Sequence, residues 1–148
     1  MWSWPCFWRV SDRFDKETRS ALMARVGQRD TAPEMVCRRL LHSLGYRFRL
    51  HVRKLPGTPD IVLTRHRKIV LVNGCFWHGH EGCPRATLPE TRHEWWAQKI
   101  ARNRERDAET LETLSSRGWD VLVVWQCETR DQEMLRERLA TFMKRSPA

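Results

Sequence analysis

The segment 75–83 constrains the fold of this chain more than any other, because it concentrates metal-ligating side chains directly after an apolar run of strand length. It contains Cys75, His80 and Cys83, and Cys127 supplies a further thiol later in the chain. Three thiolates and one imidazole are a suitable donor set for a closed, tetrahedral structural zinc site. Alternatively, Cys75 only ends a buried strand and His80 lies solvated in a loop. The spacing alone leaves both interpretations open.

Length and charge narrow the class of protein. The chain has 148 residues, enough for one domain with a buried core. Its formal net charge of +9 and its pI near 10.0 favour a polyanionic partner, with nucleic acid ahead of an anionic membrane surface. Apolar runs stay far below the roughly 20 residues needed to span a bilayer, so we expect a soluble protein without a membrane partner.

Cysteine usage indicates the compartment. Five cysteines are an odd number, and a zinc site needs reduced thiolates, so we expect a cytoplasmic protein in which Cys6 and Cys37 are spare. Residues 1–10 are rich in tryptophan but lack the charged start and the cleavage site of a signal peptide. We therefore expect a flexible leader at 1–10 and a single domain at 11–148.

Periodicity predicts an α/β protein. Residues 31–34 form a capping box with proline in the first turn, and the helix that they open should end at Gly45. Apolar and basic residues alternate over 46–52, which is typical of a half-buried strand with a basic outer face. A second capping box at 91–94 should open a helix that lasts until Gly118. Further strands are predicted at 60–63, 69–72 and 119–125. The last is continuously apolar after Asp120 and therefore expected to be central. Leu135, Leu139 and Phe142 mark a closing helix.

Connectivity brings distant residues together. If strands 60–63 and 69–72 form an antiparallel hairpin, Asp60 lies near Asn73 and Cys75. The long helix can serve as a right-handed crossover, which makes the last strand parallel to the one ending near residue 72. Cys75 and Cys127 then leave the sheet at the same edge, which is a second reason to expect Cys127 as the fourth zinc ligand.

The long helix carries a carboxylate among residues that should face the sheet. Its apolar stripe consists of Trp96, Ile100, Asn103, Asp107, Leu111 and Leu114. Ordinary helix-surface pairing with a neighbouring arginine would account for Asp107. The alternative is that Asp107 points at the same edge as Asp60 and tunes a metal or a catalytic histidine.

Asp60 and Glu34 also admit two interpretations. An aspartate after proline is commonly a turn residue, yet Asp60 opens an apolar strand, where a carboxylate is unfavourable without compensation. One carboxylate and one backbone carbonyl can hold Mg2+, because this ion keeps water and phosphate oxygens as its other ligands. Glu34 already has a sufficient role in its capping box.

The chain resembles the very short patch repair DNA mismatch endonucleases. Ordered blocks carry the resemblance from about residue 15 to 139, at 29–34, 55–60, 74–80, 94–107 and 118–127. It implies a restriction-endonuclease-like α/β fold, with a central mixed β-sheet flanked by helices and a structural zinc site. It also implies a monomer that nicks double-stranded DNA 5′ to the thymine of a T:G mismatch, in the bacterial cytoplasm. Such mismatches arise from deaminated 5-methylcytosine, so a cytosine-5 DNA methyltransferase and repair proteins are the implied functional associates.

The resemblance also implies the site residues. Asp60 and the backbone carbonyl of Val72 correspond to the Mg2+ ligands, with Glu34 and Asp107 holding metal-bound water. His78 corresponds to the catalytic histidine. The structural Zn2+ ligands are Cys75, His80, Cys83 and Cys127.

Aromatic side chains complete the implied DNA site. Phe76, Trp77 and Trp96 correspond to residues that wedge into the base stack from the major groove, and Met23 to one that enters from the minor groove. Simple core packing is the alternative for Trp96 and for Met23.

One position departs from the pattern of the resemblance. Asn73 stands where the best-known pattern has a second histidine, and an amide cannot take up a proton. We therefore place Asn73 in the catalytic site without a role in proton transfer. A weakened mismatch-binding module and a restriction-type nuclease that cleaves paired sites remain the alternative functions.

Overall fold

The computed structural model describes residues 17–18 and 29–146. Contacts divide the chain into two units, Met1–Asp30 and Thr31–Ala148, and all the elements named below belong to the second. In the first unit, residues 17–18 are helical. The predicted leader at 1–10 and the predicted DNA-contacting Met23 lie outside the described residues. Within the described part of the chain, no helix is both long enough and apolar enough to cross a membrane.

The second unit contains three α-helices and four strands among its described residues. In chain order they are α1 (Ala32–Ser43), β1 (Arg49–Leu50), β2 (Ile61–Leu63), β3 (Lys68–Asn73), α2 (His93–Ser116), β4 (Asp120–Trp125) and α3 (Gln132–Lys144). Short 3-10 turns occur at Thr64–His66, Pro84–Ala86 and Gln126–Arg130.

The strands form one mixed sheet in the order β1, β2, β3, β4. β2 pairs antiparallel with both β1 and β3, whereas β3 and β4 are parallel and are joined through α2. The predicted hairpin and the predicted crossover are both confirmed, and the protein has the mixed α/β architecture expected from the sequence.

Helices cover both faces of the sheet because β2 and β3 are apolar on both sides. Ile61 and Leu63 pack with α1 and α3 in one core cluster, and the intervening Val62 packs against Leu114 of α2 in a second. Cys37 is fully buried in the first cluster, and burial raises the pKa of its thiol to about 12. It is therefore a core residue, as expected of a spare cysteine.

The start of α1 agrees with its predicted cap. Thr31 is the N-cap residue, and its hydroxyl accepts a hydrogen bond from the Glu34 main-chain N–H at 3.5 Å. The helix ends at Ser43, followed by Gly45 at a φ of +92°, a conformation that suits glycine.

The strand predicted at 46–52 is mostly wrong. Only Arg49 and Leu50 pair with β2, and the φ of +47° at His51 ends the strand. Tyr46 and Phe48 alternate with basic residues because they pack on the first core cluster without belonging to a strand.

Two further local predictions are wrong. The box at 91–94 does not cap α2, which begins one residue later than predicted. Arg92 precedes it at a φ of +56° with its guanidinium 5.4 Å from the Trp95 ring, and the N-cap position makes no side-chain hydrogen bond. β4 lies at the end of the described sheet order and not at its centre. Its apolar run reflects packing on both faces, with Leu122 on the first core cluster and Val121 on the second.

Candidate active site and metal centre

The register of the parallel strands assembles the candidate site at one edge of the sheet. Asn73 at the end of β3 lies opposite Trp125 at the end of β4. Cys75 and Cys127 follow these positions, so both thiols leave the sheet together. Asp60 precedes β2, which runs antiparallel to β3, and its carboxylate therefore reaches the same edge.

Four potential metal ligands converge there. The ligand atoms of Cys75, His80, Cys83 and Cys127 all lie within 4.8 Å of one another. Cys127 Sγ is 3.5 Å from His80 Nδ1. Zinc bond lengths of 2.0–2.3 Å in a tetrahedron place neighbouring ligand atoms roughly 3.5–3.8 Å apart, so the cluster fits this metal with a small contraction. His80 would ligate through Nδ1.

Main-chain hydrogen bonds hold the ligand loop in shape. The His80 N–H donates to the Cys75 carbonyl at 2.9 Å, and the Cys83 N–H donates to the His80 carbonyl at 3.3 Å. The His80 ring also stacks on Trp125, with centroids 4.2 Å apart and planes 6° from parallel. The turns and the stacking fix the imidazole next to the thiol of Cys127.

The loop approaches α2 closely at Gly79. This residue has a φ of +61°, and a Cβ there would lie 2.6 Å from Ile100 Cγ2. The Asn103 side-chain amide donates to the Trp77 carbonyl at 2.9 Å. Glycine and asparagine together allow the loop to lie directly on the helix.

The thiols differ in acidity. Burial raises the pKa of Cys75 to about 11, whereas hydrogen bonding from the Arg85 main chain lowers the pKa of Cys83 below its usual 9.0. Cys83 therefore ionises before Cys75, and Cys75 needs a stabilising cation to release its proton.

The burial of the Asp60 carboxylate is only partly compensated by hydrogen bonding. Its Oδ2 accepts a hydrogen bond from the Val72 N–H at 2.8 Å. Burial nevertheless raises the pKa of Asp60 above its usual 3.8, and the nearby charge of Glu34 adds to the rise, while His51 and His78 oppose it. Asp60, Glu34, His51 and His78 thus share one electrostatic environment, as a cation site built around Asp60 requires.

His78 and Asp107 form a direct pair. His78 Nδ1 lies 2.6 Å from Asp107 Oδ2, and about a third of each side chain is exposed. Among the described residues, no arginine pairs with Asp107, and Arg106 bonds Asn103 instead. The geometry therefore favours the interpretation in which Asp107 tunes a histidine. Asn73 is half-buried at the end of β3, at the same edge of the sheet.

Sequence reasoning missed His51. Its Nε2 lies 3.1 Å from Arg38 Nη2, and the same guanidinium nitrogen donates to Glu34 Oε2 at 2.9 Å. The missed signal was register: with Leu50 opposite Ile61, the next residue along β1 comes opposite Asp60. The alternation over 46–52 instead predicts a basic strand face at this position.

The aromatic residues predicted to contact DNA cluster next to this edge of the sheet. Phe76, Trp77 and Trp96 have ring centroids 5.2–5.9 Å apart in edge-to-face contacts. Trp96 is buried, so the core-packing alternative describes its present contacts, whereas Phe76 and Trp77 are partly exposed. Lys99 Nζ lies 5.5 Å from the rings of both tryptophans.

Comparison with known proteins identifies the family. The model of the family described as DNA mismatch endonuclease Vsr matches residues 11–85. The chain is 48% identical over 134 residues to the Type II nicking enzyme V.XorIIP of Xanthomonas oryzae pv. oryzae, covering 90% of this chain and 98% of that protein. It is 41% identical over 132 residues to the DNA mismatch endonuclease Vsr of Escherichia coli, covering 89% and 84%. It is 36% identical over 135 residues to the Type II nicking enzyme V.NmeAIP of Neisseria meningitidis, covering 91% and 96%. The chain therefore belongs to the DNA mismatch endonuclease Vsr family.

Proposed function

We propose that this chain nicks duplex DNA 5′ to the thymine of a T:G mismatch, by Mg2+-dependent hydrolysis that initiates very short patch repair of deaminated 5-methylcytosine. Membership of the mismatch endonuclease family supports the reaction class. The observation that carries the proposal is the His78–Asp107 pair, and His78 directly follows Phe76 and Trp77 in the chain. A proton-transfer group is thereby fixed next to a surface on which bases can stack.

His78 is the proposed general base. Because the Asp107 carboxylate accepts from Nδ1, it keeps the proton on that nitrogen and leaves a lone pair on Nε2. Nε2 then takes the proton of the attacking water. We assign Asp107 to orienting His78, whereas the resemblance implied that it holds metal-bound water. Asn73 can donate a hydrogen bond to a phosphate oxygen but takes no part in proton transfer.

Asp60 and the main-chain carbonyl of Val72 are the proposed Mg2+ ligands, with Glu34 holding a water molecule. Oxygen ligands suit this ion, and a cation would offset the unfavourable burial that raises the pKa of Asp60. When bound, Mg2+ supplies Lewis-acid stabilisation of charge on the scissile phosphate. Asp60 contributes its charge and Val72 N–H fixes one oxygen of that carboxylate.

The aromatic cluster is the proposed reader of the mismatch. Phe76 and Trp77 would enter the stack at the mismatched step, with Trp96 packed beneath them. A mismatched step is easier to unstack than a paired one, so insertion converts weak pairing into selectivity. Met23 keeps its proposed minor-groove role.

Zn2+ is proposed as a structural ion bound by Cys75, His80, Cys83 and Cys127. It would tie the loop after β3 to the turn after β4 and so hold Phe76, Trp77 and His78 on the sheet edge. We further propose a monomer that acts with a cytosine-5 DNA methyltransferase and repair proteins in the bacterial cytoplasm. Sedimentation equilibrium of the zinc-loaded chain tests the monomer, and a concentration-independent dimer mass would contradict it.

The function is tested by incubating the purified chain with Mg2+ and three duplexes of one sequence, with T:G, T:A and C:G at the same position. The proposal expects one nick in the thymine strand of the T:G duplex, with 5′-phosphate and 3′-hydroxyl ends. Equal cleavage of the paired duplexes would favour the restriction-type nuclease. Mismatch binding without cleavage in Mg2+ or Mn2+ would favour the binding module that Asn73 suggests.

A further inference from the structure

We propose that His51 is a positioning residue that acts through Arg38 to fix the Glu34 carboxylate beside Asp60. The inference rests on the proposed function, in which Glu34 holds a water molecule next to the Asp60 site. It adds two residues, His51 and Arg38, to the machinery expected from the sequence.

Both oxygens of Glu34 are held. Oε1 accepts from the Thr31 hydroxyl at 3.3 Å, and Oε2 accepts from Arg38 Nη2 at 2.9 Å. Glu34 is 3% exposed and Arg38 is 9% exposed, so this charge pair is largely removed from water. A pair one helical turn apart on a surface would hold its carboxylate only loosely, but burial makes this geometry specific.

His51 contacts the same guanidinium nitrogen, Nη2, that donates to Glu34. Arg38 can only donate hydrogen bonds, so His51 Nε2 must accept at 3.1 Å, which places the ring proton on Nδ1. His51 Nε2 also lies 3.6 Å from Glu34 Oε2. The imidazole therefore limits where Arg38, and with it the Glu34 carboxylate, can move.

The main chain of His51 joins this network to Asp60. Its N–H donates to the Asp60 carbonyl at 3.3 Å, directly beyond the last pair of β1 and β2. The φ of +47° is uncommon for a residue with a Cβ, and such conformations persist where surrounding contacts impose them. One residue thus contacts the backbone of Asp60 and, through its ring, the partner of Glu34.

The charges around Asp60 explain what the contact between His51 and Arg38 contributes. Burial raises the pKa of Asp60, and the charge of Glu34 adds to the rise. Two carboxylates so close repel each other, and the guanidinium of Arg38 supplies a fixed positive charge beside one of them. Arg38 thereby offsets part of the repulsion between Glu34 and Asp60.

The test compares His51→Gln with His51→Leu. Glutamine places a carbonyl acceptor within reach of Arg38, while leucine has similar bulk without an acceptor. Single-turnover nicking of the T:G duplex is followed over a Mg2+ series. We expect His51→Leu to lower the rate by about 10-fold or more and to raise the Mg2+ midpoint, with duplex affinity unchanged. His51→Gln should recover most of both losses.

The inference would be overturned if His51→Leu kept the nicking rate and the Mg2+ midpoint of the wild type. It would also be overturned if both variants lost the same amount of nicking rate while their thermal midpoints stayed unchanged. A readout independent of nicking is the long-range 1H–15N spectrum of the free protein at neutral pH. It should show His51 Nε2 as a hydrogen-bond acceptor, with a shift that changes in Arg38→Met. A protonated Nε2 would overturn the inference even if the wild type nicks DNA. If the wild type nicks no duplex, the proposed function fails, and the spectrum still decides the contact.

Discussion

The imidazole Nδ1 of His78 lies 2.6 Å from the Asp107 carboxylate, and this contact joins the loop after β3 to the interior of α2. With about a third of each side chain exposed, the pair is oriented by the fold and still open to a substrate. The Asn103 bond to the Trp77 carbonyl ties the same loop to the same helix. The proposed general base, His78, and the aromatic residues before it are therefore positioned by one helix face.

Removing the Asp107 carboxylate should impair the base without removing it. We expect Asp107→Ala to lower the single-turnover nicking rate by about 100-fold, since His78 loses its orientation and its fixed tautomer. Asp107→Asn should lose at least as much, because the amide can donate to Nδ1 and so hold His78 in the wrong tautomer. Glu105→Gln, an exposed change on the same helix, is the control and should keep the wild-type rate. Wild-type activity in Asp107→Ala would remove Asp107 from the mechanism.

Neutralising Asp60 should stabilise the metal-free protein while abolishing nicking. Burial, first of all, raises the pKa of Asp60, so the folded chain binds this proton more tightly than the unfolded chain does. The free energy of unfolding therefore falls as pH rises from the usual pKa of 3.8 through the raised pKa that Asp60 has in the folded chain. Asp60→Asn removes that loss, and we expect a gain of about 1 kcal/mol at neutral pH that shrinks under acid conditions. Urea unfolding at several pH values measures it, and a destabilised variant at neutral pH would contradict it.

Zinc should be needed for the folded loop. We expect one Zn2+ per chain by elemental analysis, and chelation should lower the thermal midpoint and the nicking activity together. Cys127→Ser should lose the metal, because this ligand alone comes from the turn after β4. Cys37→Ser offers a control outside the cluster and should retain zinc, even if it folds less stably. Full zinc content in Cys127→Ser would show that the ligand set is wrong.

Aromatic stacking should determine mismatch affinity. Trp77→Leu is expected to weaken T:G duplex binding by about 1–3 kcal/mol, the usual contribution of one stacked base. Trp77→Phe retains a ring and should lose much less. Competition binding with T:G and T:A duplexes measures both changes. Equal weakening for the paired and mismatched duplexes would mean that Trp77 contributes general affinity without selectivity.

A buried ion pair far from the site should affect stability alone. Lys68 is 2% exposed, and its Nζ lies 2.8 Å from Asp120 Oδ2 and 4.5 Å from the Phe142 ring. Asp120→Asn leaves this buried ammonium without a counter-charge and should reduce the free energy of unfolding by about 3 kcal/mol. Lys68→Met, which removes the charge itself, should stay within about 1 kcal/mol of the wild type. Denaturant unfolding decides between them, and equal losses would contradict this account.

Acid should weaken the same pair. Burial opposes the charge of Asp120, but hydrogen bonds from Arg145 and Lys68 outweigh it and lower the pKa of Asp120 below 3.8. The pair therefore stabilises the fold fully at pH values above the ordinary Asp pKa. This stabilisation is lost as the pH falls through the lowered pKa of Asp120 in the folded chain. Wild type and Asp120→Asn should converge in stability at that acid limit.

The sequence predicted the hairpin, the crossover and the convergence of Asp60, Cys75 and Cys127 at one edge, because buried apolar runs and a long helix leave few topologies. It did not predict that β1 is short, since alternation at Tyr46 and Phe48 arises equally from packing on a core. Nor did it reveal the Arg38–His51 contact, which depends on a positive φ that no side-chain pattern encodes.

The same limit explains the two capping boxes. Thr31 and Thr91 open similar patterns, yet only Thr31 caps a helix, because Arg92 adopts a left-handed conformation over Trp95. One local contact, between residues three apart, therefore replaced another. The convergence of the Cys and His side chains was easier to predict, since such residues have few other reasons to gather.

We propose that Asp60 and His78 jointly support strand-specific hydrolysis at a T:G step. The decisive experiment is single-turnover cleavage of an end-labelled T:G duplex in Mg2+ by the wild type, Asp60→Ala and His78→Ala. We expect a single nick before the mismatched thymine for the wild type, and rates at least about 100-fold lower for both variants. Full activity in Asp60→Ala would rule out this mechanism.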